Sequence, residues 1–179
     1  MPHHQSLMNA LQGAFDARQP AVRSEALGIL RSAFLAGAPA ARPDALDYEG
    51  AWHSMRLRRQ DAMASELQMI RALENGETAE AVCALADLAR LPVEAVEHAL
   101  LGKDAEALLI LGRSENFAWS TMRLLLDARR RLRCALAQET GAAMAELEAD
   151  SLLYDSFPRR LAERALRFIR ASVMAGRAV

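Results

Sequence analysis

Apolar residues recur along this chain at three- and four-residue intervals, the spacing of one face of an α-helix. Leu7, Met8, Leu11, Ala14 and Phe15 form one such face; Val22, Ala26, Leu27, Leu30 and Phe34 form the next, with Pro20 suited to a first helical turn. Residues 1–36 are therefore expected to make an opening helical hairpin. Gly37, Pro39 and Pro43 then interrupt the pattern, so residues 37–46 are expected to form a linker. Residues 47–179 follow as a helical-repeat domain, packed with the hairpin as one globular unit. Its first element is read as a single long helix over about 47–74, with Trp52, Met55, Ala62, Met63, Ile70 and Leu73 along one side and Asn75-Gly76 at its end.

Short amphipathic segments come next, at 79–90, 92–101, 104–113 and 118–136, with Thr78 and Asp104 in N-cap positions. Two closing helices, at about 142–155 and 159–175, are separated at Pro158. Within this run Ala84-Leu85-Ala86-Asp87-Leu88-Ala89-Arg90 reappears as Ala107-Leu108-Leu109-Ile110-Leu111-Gly112-Arg113. A helix pair that recurs after roughly two dozen residues marks a stacked helical array, because one pair cannot bury its apolar face alone. No segment alternates with period two. The expected fold is all-α, about eight helices stacked as antiparallel pairs in a HEAT-like array.

Composition agrees with that fold. The 179 residues are 52% hydrophobic but only 5% aromatic, and Ala and Leu dominate, which favours closely packed helices. No segment has the uninterrupted apolar length of a membrane span, and the N-terminus shows no basic region followed by an apolar run. Cys83 and Cys134, both inside helical patterns, read as two small core residues in a reducing compartment. A soluble cytoplasmic protein is expected.

Net charge is −1, but the charges lie in blocks. Eight acids face two bases from Glu74 to Glu106, and six bases face two acids from Arg113 to Arg133. Five acids and no base occupy Glu139 to Asp155, and six arginines face Glu163 alone from Arg159 to Arg177. Such blocks are expected to neutralise each other across packed helices or between subunits.

Three stretches carry a family likeness: Leu88-Ala89-Arg90-Leu91-Pro92-Val93-Glu94-Ala95-Val96-Glu97, Glu106-Ala107-Leu108-Leu109-Ile110-Leu111, and Trp119-Ser120-Thr121-Met122-Arg123. With Ala162-Glu163-Arg164-Ala165-Leu166-Arg167-Phe168-Ile169-Arg170, where Ile169 takes the place of an expected tryptophan, they resemble the uncharacterised alphaproteobacterial family DUF2336. The resemblance runs over roughly 66–171 and leaves the opening hairpin outside. It implies a HEAT-like helical fold and a bacterial origin, and it implies no activity.

Candidate chemistry is sparse. Residues 84–100 have the outline of a helix-turn-helix, but the second helix would present Glu94 and Glu97 to phosphates, against the attraction on which DNA affinity rests. Glu49 with His53, and Glu94 with His98, share helical faces, yet no further ligand completes a metal site. Nucleophile elbows and phosphate-cradling glycine loops are absent from the sequence. The expectation is a non-enzyme without a cofactor.

Arg160, Arg164, Arg167 and Arg170 form a basic stripe on the last helix, lying roughly opposite Leu161, Ala162, Ala165 and Ile169. These arginines, with Trp119 and Arg123, are the candidate partner-binding residues, and an acidic protein suits them best because single-strand binders interleave aromatics. Arg129 and Arg133 fall instead within the apolar arc of Met122, Leu125, Leu126 and Leu132, where a guanidinium needs a partner; carboxylates of the acidic helices are the expected ones. The expected function is an adaptor or regulatory module that binds a protein partner, or a second copy of itself. The alternative is a nucleic-acid-associated regulator using Arg123, Arg129, Arg130, Arg131 and the final helix.

Overall fold

The computed structural model describes residues 7–16, 20–35, 46–58, 66–102, 104–137 and 143–176. Among the described residues there are ten helices and no strand. They are α1 (Leu7–Asp16), α2 (Pro20–Leu35), α3 (Tyr48–Arg58), α4 (Glu66–Glu74), α5 (Thr78–Ala89), α6 (Val93–Leu101), α7 (Glu106–Ser114), α8 (Trp119–Ala137), α9 (Ala143–Ser156) and α10 (Arg159–Gly176). None is long and apolar enough to cross a membrane. Residues 37–45 of the expected linker at 37–46, together with Ala62, Met63, Lys103, Glu139, His3 and His4, lie outside the described residues.

The count exceeds the expected eight in part because the segment read as one long helix holds two, α3 and α4. Both pack on α5, through Ala51 and Met55 from one and Met69, Ala72 and Leu73 from the other. An unbroken helix over 47–74 would run about 40 Å, more than twice the length of the twelve-residue α5 that both halves cover.

Helix α7 occupies the centre. Ala107 through Gly112 are six consecutive buried residues, and α1, α2, α6, α9 and α10 all pack against the helix that carries them. The chain ends thereby meet: α10 lays Ala162, Ala165, Leu166 and Ile169 inward and touches α7, α2 and α1. Glu106 ties the N-terminal hairpin to the same centre, its Oε2 accepting a hydrogen bond from the backbone N–H of Met8 at 2.8 Å in the first turn of α1. A Cβ added at Gly112 would collide with the buried Met122 sulfur, so glycine there sets how closely α7 approaches α8.

Three helices end in the same way. In α4, α5 and α7 the residue that closes the last turn takes a left-handed conformation, with φ of 77° at Gly76, 51° at Arg90 and 62° at Asn116. Its N–H and the next one reach back to the last turn: Glu77 N–H to Ala72 O at 2.8 Å, Leu91 N–H to Ala86 O at 2.9 Å, and Phe117 N–H to Gly112 O at 3.0 Å. By its left-handed conformation and the hydrogen bond that follows it, Arg90 corresponds to Asn116 and not to Arg113, so the internal repeat read from sequence is out of register by nearly one turn. The two copies share an apolar run, and their helices stop at different points in it.

N-termini depart from expectation more than C-termini. Asp47 caps α3, its Oδ1 accepting from Gly50 N–H at 2.8 Å. Thr78 and Asp104 do not occupy N-cap positions: Glu77 precedes α5 and Ala105 precedes α7, neither with a side-chain capping bond. Their C-terminal counterparts are better served. Arg129 Nη2 and Arg133 Nη1 donate to Gly102 O, at 2.7 and 3.2 Å, and so bring positive charge to the carboxyl end of α6.

A polar knot closes the α7–α8 turn against α9. The Tyr154 hydroxyl, on a side chain 1% exposed, donates to Phe117 O at 2.6 Å. The Arg113 guanidinium lies 5.3 Å from the Tyr154 ring centroid, and its Nε donates to Phe157 O at 2.9 Å. Trp119 leans on the other side of the tyrosine, ring centroids 5.7 Å apart.

The two cysteines differ. Cys83 is buried, and desolvation, reinforced by the charge of Glu80, pushes its thiol up to about 12. Cys134 is exposed, against expectation, because it falls on the outward side of α8 with Arg123 and Arg131. A native-state thiol titration is expected to find Cys134 reactive and Cys83 silent until denaturant is added; two fast thiols in the native protein would contradict the packing around α5.

Burial also raises the Tyr154 phenol, from 10.0 to about 12, with Arg113 opposing the shift. The neutral phenol is thus favoured by folding, so the associated stability is complete below pH 10 and is lost as pH rises toward 12. Urea melts between those pH values are expected to show a loss of about 2–3 kcal/mol that Tyr154→Phe does not show. The same variant is expected to lose about 1–2 kcal/mol at neutral pH by leaving Phe117 O without its donor.

Candidate docking groove and the arginine face of α10

Helix α10 divides its arginines between two roles. Arg160, Arg164 and Arg167 are exposed on the side away from α7. Arg170 turns inward: its Nε donates to Ala89 O at 2.7 Å, the carboxyl end of α5, and its Nη2 pairs with Glu115 Oε1 at 2.9 Å just beyond α7. A three-residue step falls about 60° short of a full turn, which carries Arg170 off the stripe and onto the flank of the helix. Arg170 is therefore a clasp between α5, α7 and α10. Burial pushes the Glu115 carboxyl above its ordinary range, while the charge and hydrogen bond of Arg170, with more distant Arg90 and Arg159, oppose the shift.

Beside this clasp lies a groove of about 440 Å³. Its walls are Trp52 of α3, the α5–α6 turn from Arg90 to Glu94, and Arg170, Val173 and Met174 near the end of α10. Trp52, Leu91, Pro92, Val93 and Val173 make it mainly apolar, and Met174 stands at its edge 67% exposed. Arg90 and Glu94 supply charge at the rim, both exposed. Among the described residues no hydrogen bond or ion pair holds the Arg90 side chain. A second, smaller cleft of about 240 Å³ lies between α3, α4 and α5, with Arg71, Glu77 and Glu80 among its lining. Among the described residues no three His, Cys, Asp or Glu side chains come together as metal ligands.

The other candidate residues are scattered. Trp119 is half-buried against Tyr154, and Arg123 is exposed on α8, apart from the groove. Arg129 and Arg133 are half-buried on Gly102 O, Arg130 pairs with Asp127 one turn away, and Arg131 is exposed. Helix α6, the recognition helix of the helix-turn-helix outline, packs against α2, α5, α7 and α8 and buries Glu97 to 1% exposure. His53 is exposed on α3 and His98 half-buried on α6.

Sequence reasoning passed over Arg90 and Met174 as groove residues. A signal for Arg90 was present: a helix-ending turn before Leu91-Pro92 with neither Gly nor Asn at its left-handed position.

No curated protein and no solved structure matches the chain. A family model does match, over residues 4–167, and it takes in α1 and α2, which the sequence resemblance left outside. The chain belongs to this family, an uncharacterised protein conserved in bacteria, DUF2336.

Proposed function

We propose that the protein is a non-catalytic interaction module, an adaptor or regulator of a bacterial cytoplasm, that docks protein partners in the α3–α5–α10 groove and along the α10 arginines. The observation that carries this reading is Arg90. Of three helices closed by the same turn, two place Gly76 and Asn116 at the left-handed position, residues that adopt it readily, and the third places an arginine there. That backbone conformation costs about 1 kcal/mol for a residue with a Cβ. The arginine side chain lies at the mouth of an apolar groove, where a partner carboxylate would meet it beside an apolar anchor.

The expected layering of helix pairs belongs to this proposal too. Consecutive packing of α4 on α5, α5 on α6 and α6 on α7 supports it, and α1, α2 and α10 then cover the inner pair. Nucleic acid is the second reading, favoured by the exposure of Arg123, Arg131, Arg160, Arg164 and Arg167. It has fewer arginines available than the sequence suggested, because Arg129 and Arg133 bind Gly102 and Arg170 clasps α5.

Arg90→Gly separates stability from binding. The variant is expected to raise Tm by about 2–4 °C, as a strain of about 1 kcal/mol is relieved, and to lose most of the protein captured from a lysate of the source bacterium. Unchanged capture, or a fall in Tm, would contradict the role given to Arg90. Retention on DNA that falls steeply with salt would move the conclusion to nucleic acid.

A further inference from the structure

Helices α9 and α10 each turn a charged face outward, acidic on one and basic on the other, and we infer that the two faces meet between copies: α9 of each protomer docks on the α10 arginines of the other, closing a reciprocal dimer. This rests on the reading of the outward α10 arginines as a docking face and names its occupant. Helix α9 packs on α7 and α8 and sends Tyr154 into the core. Its other side presents Glu148, Leu152 and Asp155 to solvent, and Leu152, at 75%, is a large apolar side chain left almost bare. Helix α10 is directed away by the short turn at Phe157-Pro158 and packs on α7, α2 and α1, with Arg160, Arg164 and Arg167 outward.

The two faces match in length and kind. Each has its three residues at steps of four and three, spanning about 10 Å of helix. In either direction of crossing, the two acids fall opposite the two outer arginines, and Leu152 falls opposite Arg164, whose aliphatic stem is a suitable cover for it. Donor and acceptor occur on every copy, so two copies related by a two-fold axis satisfy both contacts at once and leave neither face open. Net charge of −1 puts no long-range repulsion in the way.

A charge exchange tests this on the full-length chain, with native mass and sedimentation as readouts. Wild type is expected to form a dimer that dissociates as salt rises. Glu148→Arg with Asp155→Arg in one variant, and Arg160→Glu with Arg167→Glu in another, are each expected to weaken dimerisation by tenfold or more, on the order of the penalty for facing like charges. Circular dichroism is expected to be unchanged, since all four side chains are exposed. Mixing the two variants is expected to restore a mixed dimer, because both reciprocal contacts then pair opposite charges. A wild type that stays monomeric, or variants that do not re-pair on mixing, overturns the dimer. If that monomer still captures other proteins and loses them with Arg160→Glu and Arg167→Glu, only the occupant was wrong; if it captures none, the docking face falls with it.

Discussion

Everything else in the structure follows from the need to enclose α7. The run Ala107-Leu108-Leu109-Ile110-Leu111 has no polar side, and a helix that is apolar all round has to be surrounded. Leu108, Leu109, Ile110 and Leu111 are each fully buried, which contributes on the order of 6–12 kcal/mol as an upper estimate. One flanking pair cannot do this. Five helices share the task, including both ends of the chain, so α1, α2 and α10 close over the middle instead of extending away from it. Enclosure in turn creates a polar problem at the buried helix ends. Glu106 answers it at Met8, Tyr154 at Phe117, and Arg170 at Ala89 and Glu115.

That arrangement decides what is left for the outside. With Ala162, Ala165, Leu166 and Ile169 turned toward α7, the outward side of α10 is arginine, and with Tyr154 drawn into the knot, the outward side of α9 is acidic with Leu152 exposed. The Arg170 clasp holds the end of α10 near the α5–α6 turn, and the groove between them is the gap that remains. Surface chemistry here is a consequence of core packing.

Much of the helix content was legible in the sequence because apolar spacing reports a face directly. The arcs at Leu30 and Phe34, at Leu108 to Leu111 and at Ala165 to Ile169 are buried as the spacing implied. Periodicity is silent about which neighbour covers a face, and there the reading ran out. It joined α3 and α4, because nothing in 59–65 is a strong breaker. It set the repeat by its apolar run and so missed that the turn closing α5 matches the one at Asn116. It placed Arg170 with the outward arginines, although the drift of a three-residue step had already moved it inward. For Arg129 and Arg133 it looked to carboxylates and did not foresee the Gly102 carbonyl, an acceptor that leaves no mark in composition.

Enclosure of α7 by the chain ends is the claim most open to direct test, and native-state hydrogen exchange followed residue by residue is the measurement. The account predicts that the amides of α7 and those of the inward face of α10 exchange together, only through global unfolding, with the same dependence on denaturant. Exchange of α10 at low free energy while α7 stays protected would show that the final helix is not needed to cover the centre, and would contradict it.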